Sequence, residues 1–119
     1  MNSSVDTSNC AVAKTLAMLG DRWTLLVVRE LMLNRRLTYK ALSENVDGIP
    51  TNILSDRLKK LVDHGLVGKE LYNKRPPRYD YSLTKKGISL RPVLIALAEW
   101  GAEYLGGELP PKYRQATKA

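Results

Sequence analysis

Between Ile49 and Thr84 the chain sets an amphipathic helix, one glycine and two alternating segments around a pair of prolines, an order that few folds accommodate. From Thr51 to His64, at 100° per residue, Ile53, Leu54, Leu58, Leu61 and Val62 share one half of the helical wheel. Asn52, Asp56, Lys59 and Asp63 lie opposite, Ser55 and Lys60 flank them, and Arg57 falls closer to the apolar arc than its charge suggests. The helix thus buries a leucine stripe and shows a polar ridge. Gly65 stops it. Leu66 to Tyr72 and Arg78 to Leu83 read as two strands joined by Asn73-Lys74-Arg75-Pro76-Pro77. Tyr79, Tyr81 and Leu83 alternate with Arg78, Asp80 and Ser82, the mark of one buried and one wet face.

The flanking segments read as helices. Ser8 and Asn9 can cap a first one over Cys10 to Leu19, with Val12, Leu16 and Leu19 on one face and Gly20 at its end. Asp21 can cap a second, Arg22 to Leu33, striped by Trp23, Leu26, Val27 and Leu31. Thr38 opens a short third helix to about Asn45, turning Ala41, Leu42 and Val46 inward. Val46-Asp47-Gly48-Ile49-Pro50 connects it tightly to the fourth. After the hairpin, Thr84 caps a last helix towards Leu105, which Pro92 should kink or restart. From Val93 to Leu105 that helix carries only Glu99 and Glu103 as charges, and Leu94, Leu97, Trp100, Tyr104 and Leu105 cover most of its circumference. A helix apolar nearly all round is covered on two sides. One small domain has one core, so a second subunit is the simplest cover for the other side. This gives residues 10–105 as the domain, with a flexible arm over 1–9 and a flexible tail over 106–119.

Charge narrows the partner. The chain has 119 residues, one domain by length, and a net charge of +7. Ten Lys/Arg face four Asp/Glu between Thr51 and Arg91, whereas residues 1–50 hold six against five and residues 92–119 three against three. A polyanion with regularly spaced phosphates suits a surplus confined to one third of the chain. No apolar run is long enough for a membrane span, and the basic residues surround a turn-rich segment, not an amphipathic membrane-surface helix. Met1 to Asn9 lacks the basic-then-apolar order of a secretory signal, and a single cysteine fits a reducing cytoplasm. One His and one Cys cannot furnish a tetrahedral zinc site, and no phosphate loop or catalytic constellation is evident, so neither metal, cofactor nor catalysis is expected. His64 reads as a dipole partner at a helix end, and Trp23 and Trp100 as core or interface residues.

Helix, helix, helix-turn-helix, two-stranded wing, terminal helix is the order of a winged helix-turn-helix domain, mainly α with a small β-wing. Cys10-Ala11-Val12-Ala13, Gly20-Asp21-Arg22-Trp23-Thr24, Leu54-Ser55-Asp56-Arg57-Leu58, Gly65-Leu66-Val67, Pro76-Pro77-Arg78-Tyr79-Asp80-Tyr81-Ser82-Leu83-Thr84 and Leu90-Arg91-Pro92-Val93-Leu94 carry a resemblance to the bacterial HxlR-type transcriptional regulators. It runs from about Cys10 to Leu105, and the proline-pair wing followed by Tyr-Ser-Leu-Thr is its most specific part. The resemblance implies a dimer through the first and last helices, bound to an operator near promoters. Pro50 stands where that family commonly has a capping serine, and Asp56 where a glutamine or glutamate is usual, so the operator sequence cannot be borrowed from relatives.

These readings converge on a homodimeric, sequence-specific regulator of transcription, repressing by steric block, with double-stranded DNA as partner. Thr51, Asn52, Ser55, Asp56 and Lys59 have the spacing to reach base edges from a helix in the major groove: Asn52 can pair with adenine, Lys59 with guanine, and Asp56 can accept from a cytosine amine. Thr38, Tyr39, Lys40, Arg57 and Lys60, with Lys74, Arg75 and Arg78 of the wing, are the candidate backbone contacts. Val12, Leu16, Leu94, Leu97, Trp100, Tyr104 and Leu105 are the candidate dimer face. Cys10 matches a position where several members of the resembling family sense electrophiles or oxidants, and a helix start favours thiolate. That makes a redox or electrophile switch, answering to an oxidant or small-molecule effector, the first alternative; a protein-interaction module with a basic surface is the alternative of another class.

Overall fold

The computed structural model describes residues 9–108. The expected arm over residues 1–9 lies, apart from Asn9, outside them, as does the expected tail beyond Glu108. Helix α1, Ala11–Leu19, starts after Cys10, whose extended backbone makes it the N-cap without a side-chain capping bond. Asn9 therefore does not fill the role expected of it as a cap, and Ser8 lies outside the described residues. Gly20 ends α1, but with φ −80°, not in the left-handed conformation usual for a terminating glycine. Its reason is space: a Cβ there would lie 2.3 Å from the Leu16 carbonyl oxygen.

Helix α2, Thr24–Leu33, begins two residues later than its periodicity suggests. The Asp21 carboxylate accepts from the backbone N–H groups of both Trp23 (3.0 Å) and Thr24 (3.1 Å), so Arg22 and Trp23 form the turn that enters it. Strand β1, Leu37–Thr38, was not expected at all. Thr38 is also the N-cap of α3, Tyr39–Asn45, its hydroxyl accepting from the Ala41 N–H. Helix α4 is Thr51–Asp63, with Pro50 as its extended N-cap, one place before the first-turn position its ring favours. Gly65 follows at φ +76°, where a side chain would be strained.

Strands β2, Val67–Lys74, and β3, Pro77–Leu83, are longer than read, which shrinks the five-residue loop to Arg75-Pro76 and a cis peptide between them. The sheet has three antiparallel strands in the order β1-β3-β2, so the expected β2–β3 wing is present and β1 adds a third strand to it. Leu37 pairs with Tyr81 and Thr38 with Asp80, while the β2–β3 ladder is irregular between Leu71 and Asn73. Because β1 covers β3, Asp80 and Ser82 are half-buried like Tyr81 and Leu83, and the clean alternation expected is lost. The terminal helix is two: α5, Lys85–Ile88, capped by the Thr84 hydroxyl accepting from Gly87, and α6, Arg91–Leu105, with Pro92 in its first turn.

The core gathers one stripe from each helix: Leu19, then Val27, Val28 and Leu31, Leu42 and Val46, and Leu54, Leu58 and Leu61, closed by Leu66 and Val67. Leu94 belongs here too, at 6% exposure. It was expected at the dimer face, but α6 turns most of it into its own subunit's core, leaving only an edge at the surface. The opposite side of α6 and the outside of α1 are bare. Val12, Leu16, Leu97, Trp100 (59%), Tyr104 (65%) and Leu105 are exposed, with the Trp100 and Tyr104 rings 5.3 Å apart. A groove of about 380 Å³ between α2 and α6, lined by Leu25, Leu26, Leu94, Leu97, Ala98 and Leu105, continues this apolar surface. No helix among the described residues is long and apolar enough to cross a membrane.

Candidate nucleic-acid interface

Helix α4 is held at both ends and along one flank, which fixes how its outer ridge is presented. At its start, the Tyr39 hydroxyl donates to the Thr51 carbonyl (2.9 Å) and accepts from Ser55 Oγ (3.3 Å). At its end, the carbonyls a helix leaves unpaired find donors: Lys86 Nζ reaches His64 O (2.9 Å) and the Thr84 hydroxyl reaches Gly65 O (2.6 Å). Beneath it, Leu54, Leu58 and Leu61 are buried. The side chains left outside are Thr51, Asn52, Ser55, Asp56, Lys59, Lys60 and Asp63, all exposed.

Several of these charges are paired. Lys59 meets Asp63 (3.0 Å) and Lys60 meets Asp56 (3.3 Å), both one turn apart on the exposed surface. Such exposed pairs are screened by solvent and open readily. The hydrogen bond from Lys60 is the main cause that holds the Asp56 carboxyl below its ordinary value. Of the five side chains expected to read bases, Thr51 and Asn52 stand in the first turn, where a major-groove helix comes nearest to base edges.

Two expected backbone contacts are committed elsewhere. The Arg57 side chain is only 19% exposed; its Nε donates to Asp21 Oδ2 (2.8 Å) and its Nη1 to Asp56. Its position near the apolar arc showed that it leaves the ridge, but Asp21, 36 residues away, left no local signal. The Tyr39 hydroxyl proton is spent on Thr51, so this side chain positions α4 and has no proton left to donate outward. Thr38 and Lys40 remain at the start of α3, half-buried and exposed respectively.

At its tip the wing supplies cations with no ion pair among the described residues: Lys74, Arg75 and Arg78 are exposed around the Arg75-Pro76 turn. Its base is braced, with Arg36 facing Glu70 (3.6 Å) and Asp80 (3.8 Å), and Lys69 Nζ lying 4.2 Å from the centre of the Tyr79 ring. Between α4 and the sheet runs an open cleft of about 440 Å³, lined by Tyr39, Ser55, Leu58, Lys59, Val62, Asp63, Lys69 and Tyr81. Ser55, Lys59 and Asp63 of the ridge and Lys69 of β2 thus face the same cleft. Cys10 stands apart from it, half-buried at the start of α1, and no group of three metal-ligating side chains occurs among the described residues.

Residues 18–108 match the family model described as HxlR-like helix-turn-helix. The chain is 36% identical over 99 residues to an uncharacterized HTH-type transcriptional regulator of Synechocystis sp., covering 83% of this chain and 73% of that protein. A relative from Mycobacterium bovis is 40% identical over 95 residues, and the chain spans 59% of its length. Among solved structures, a protein of Porphyromonas gingivalis W83 classed with MarR-family transcriptional regulators aligns with a TM-score of 0.75 at 33% identity, over 87% of this chain and 99% of that one. The reduced form of the transcriptional regulator YodB from B. subtilis aligns with a TM-score of 0.68 at 27% identity, over 83% and 98%. YodB also has a quinone-bound structure, similar at a TM-score of 0.68.

Proposed function

The chain belongs to the HxlR-like helix-turn-helix family, a family of transcriptional regulators with a winged-helix fold, and from that premise we propose that it works as a homodimeric repressor on a palindromic operator. Each α4 enters a major groove, with Thr51 and Asn52 nearest the bases and Ser55, Asp56 and Lys59 behind them. Lys40 and Lys60 meet the flanking phosphates, and Lys74, Arg75 and Arg78 reach the neighbouring backbone or minor groove. The two copies pair through the bare apolar faces of α1 and α6, and the bound dimer blocks the promoter.

The observation carrying this reading is the polar ridge of α4 held outward beside an exposed basic wing tip, on a chain that leaves Trp100 and Tyr104 uncovered. Selection from a random duplex library, followed by anisotropy across a salt series, tests it. The selected duplex should contain two half-sites about one helical turn apart. Affinity should fall by roughly 0.9 log unit per decade of salt for each phosphate neutralised. A flat salt response, or a single subunit at all concentrations in ultracentrifugation, would refute it.

A second reading adds a thiol switch at Cys10. It draws on the position of Cys10 as the N-cap of α1 and on the likeness to YodB, solved in reduced and quinone-bound forms. With one cysteine per chain, oxidation would yield a disulfide between subunits or with a small thiol. Release of the operator by diamide that persists in Cys10→Ser would refute this role.

A further inference from the structure

Asp21 lies in the corner between α1 and α2, and it serves more than that corner. Its Oδ2 accepts from the N–H groups of Trp23 and Thr24 and from Arg57 Nε, while Oδ1 accepts from the Thr24 hydroxyl. Arg57 sits mid-way along α4, between the buried leucines and the outer ridge, and its other end grips Asp56. One carboxylate therefore closes the start of α2 and the flank of α4 together. Leu16 of α1, assigned above to the partner subunit, lines one pocket together with Asp21, Thr24, Arg57 and Lys60.

Resting on the dimer-and-DNA reading, we propose that the Asp21–Arg57 pair is a positioning contact that sets the angle of α4 against the α1–α2 corner, and thereby the separation of the two recognition helices in the dimer. The preference for half-site spacing then depends on a pair that touches no DNA. Apolar packing of Leu54, Leu58 and Leu61 fixes how deep α4 sits, but it is non-directional and tolerates rotation. A guanidinium fork shared between two carboxylates is directional and removes that freedom. The exposures agree with this division: Lys59 is 76% exposed and available to a polyanion, whereas Arg57 is turned inward.

The test uses Asp21→Asn, Arg57→Gln and the double variant in the full-length chain, with circular dichroism and sedimentation confirming helix content and dimer. Asparagine keeps one oxygen to accept from the Trp23 and Thr24 N–H groups, while its NH2 group, which cannot accept, loses the bond from the Thr24 hydroxyl along with the ionic link. Binding is measured on the duplex selected by the wild type and on duplexes with its half-sites moved one base pair apart or together. Each single variant should bind the selected spacing about fivefold more weakly, the double no worse than either, because contacting residues couple by about this much. Discrimination between spacings should flatten while the salt slope stays unchanged.

Arg57→Lys separates positioning from phosphate contact. It keeps the charge but not the fork, so positioning predicts that it behaves as Arg57→Gln does. A salt slope lowered by about 0.9 in Arg57→Gln, with Asp21→Asn and Arg57→Lys like wild type, would make Arg57 a phosphate contact and overturn the proposal. Unchanged spacing discrimination in all variants of a protein that does select a duplex would overturn it alone. A wild type that selects no duplex would overturn the DNA reading, and this inference with it.

Discussion

The Thr84 hydroxyl donates to the Gly65 carbonyl over 2.6 Å while accepting from the Gly87 N–H at 3.1 Å. One side chain thus caps α5 and pins the exit of α4 to the foot of the wing. Thr84→Val keeps the shape and removes both bonds. It should lower stability by about 1–2 kcal/mol, the usual cost of losing a capping hydroxyl. Urea melts would show it, and a midpoint equal to wild type would mean that neither bond contributes.

Tyr39→Phe removes the donor to Thr51 O and the acceptor for Ser55 without opening a cavity. We expect about 1 kcal/mol of lost stability, together with weaker binding to the selected duplex and no change on random-sequence duplex. Equal losses on both duplexes would return Tyr39 to the backbone contacts.

Trp100 stands exposed beside Tyr104 in the single chain, so changing it should not disturb the subunit's own core. Trp100→Glu places a charge where the proposed interface is apolar. The dimer dissociation constant should rise by roughly a hundredfold, as for a central aromatic anchor, with the circular dichroism spectrum unchanged. Sedimentation equilibrium decides the matter: a dimer as tight as wild type would locate the interface elsewhere.

Acid titration probes the corner at Asp21. Burial pushes this carboxyl up, but hydrogen bonds from the Thr24 hydroxyl, Arg57 and the backbone of Trp23 and Thr24 outweigh it and hold it well below the usual carboxylate range. A depressed folded value means stability that is full above the unfolded value, near ~3.9, and lost as pH falls below it. Asp21→Asn should therefore be less stable than wild type by about 1 kcal/mol at pH 7, with the gap narrowing as pH falls below about 4 and on through the depressed folded value. A gap constant down to pH 2 would assign the loss to geometry and not to charge.

What the sequence disclosed was what local pattern encodes. The stripe Leu54, Leu58, Leu61 placed α4, and Thr38 and Thr84 announced the helices they cap, because a hydroxyl before a helix acts on the next three residues. Pro92 marked the restart of α6 because its fixed φ and missing N–H suit a helix's first turn. Strand β1 was illegible: two residues cannot show alternation, and its partners Tyr81 and Asp80 lie far along the chain. Leu94 was misassigned because a helix apolar all round does not say which leucine faces its own core. Of the candidate site, the exposed ridge and basic wing tip were visible, whereas the inward turn of Arg57 and Tyr39 depends on acceptors 36 and 12 residues distant.

Leu37 and Thr38 stitch β3 to the residue that caps α3. The root of the hairpin and the start of α3 are accordingly tied together by backbone pairing. On the proposed dimer-and-DNA reading, accommodation of a duplex with a wider or narrower groove would fall to the tip beyond Leu71, where the ladder loses its regular register, or to bending of the duplex itself. Operators that bend easily between the half-sites and the wing contacts should on that account be favoured at positions no side chain touches.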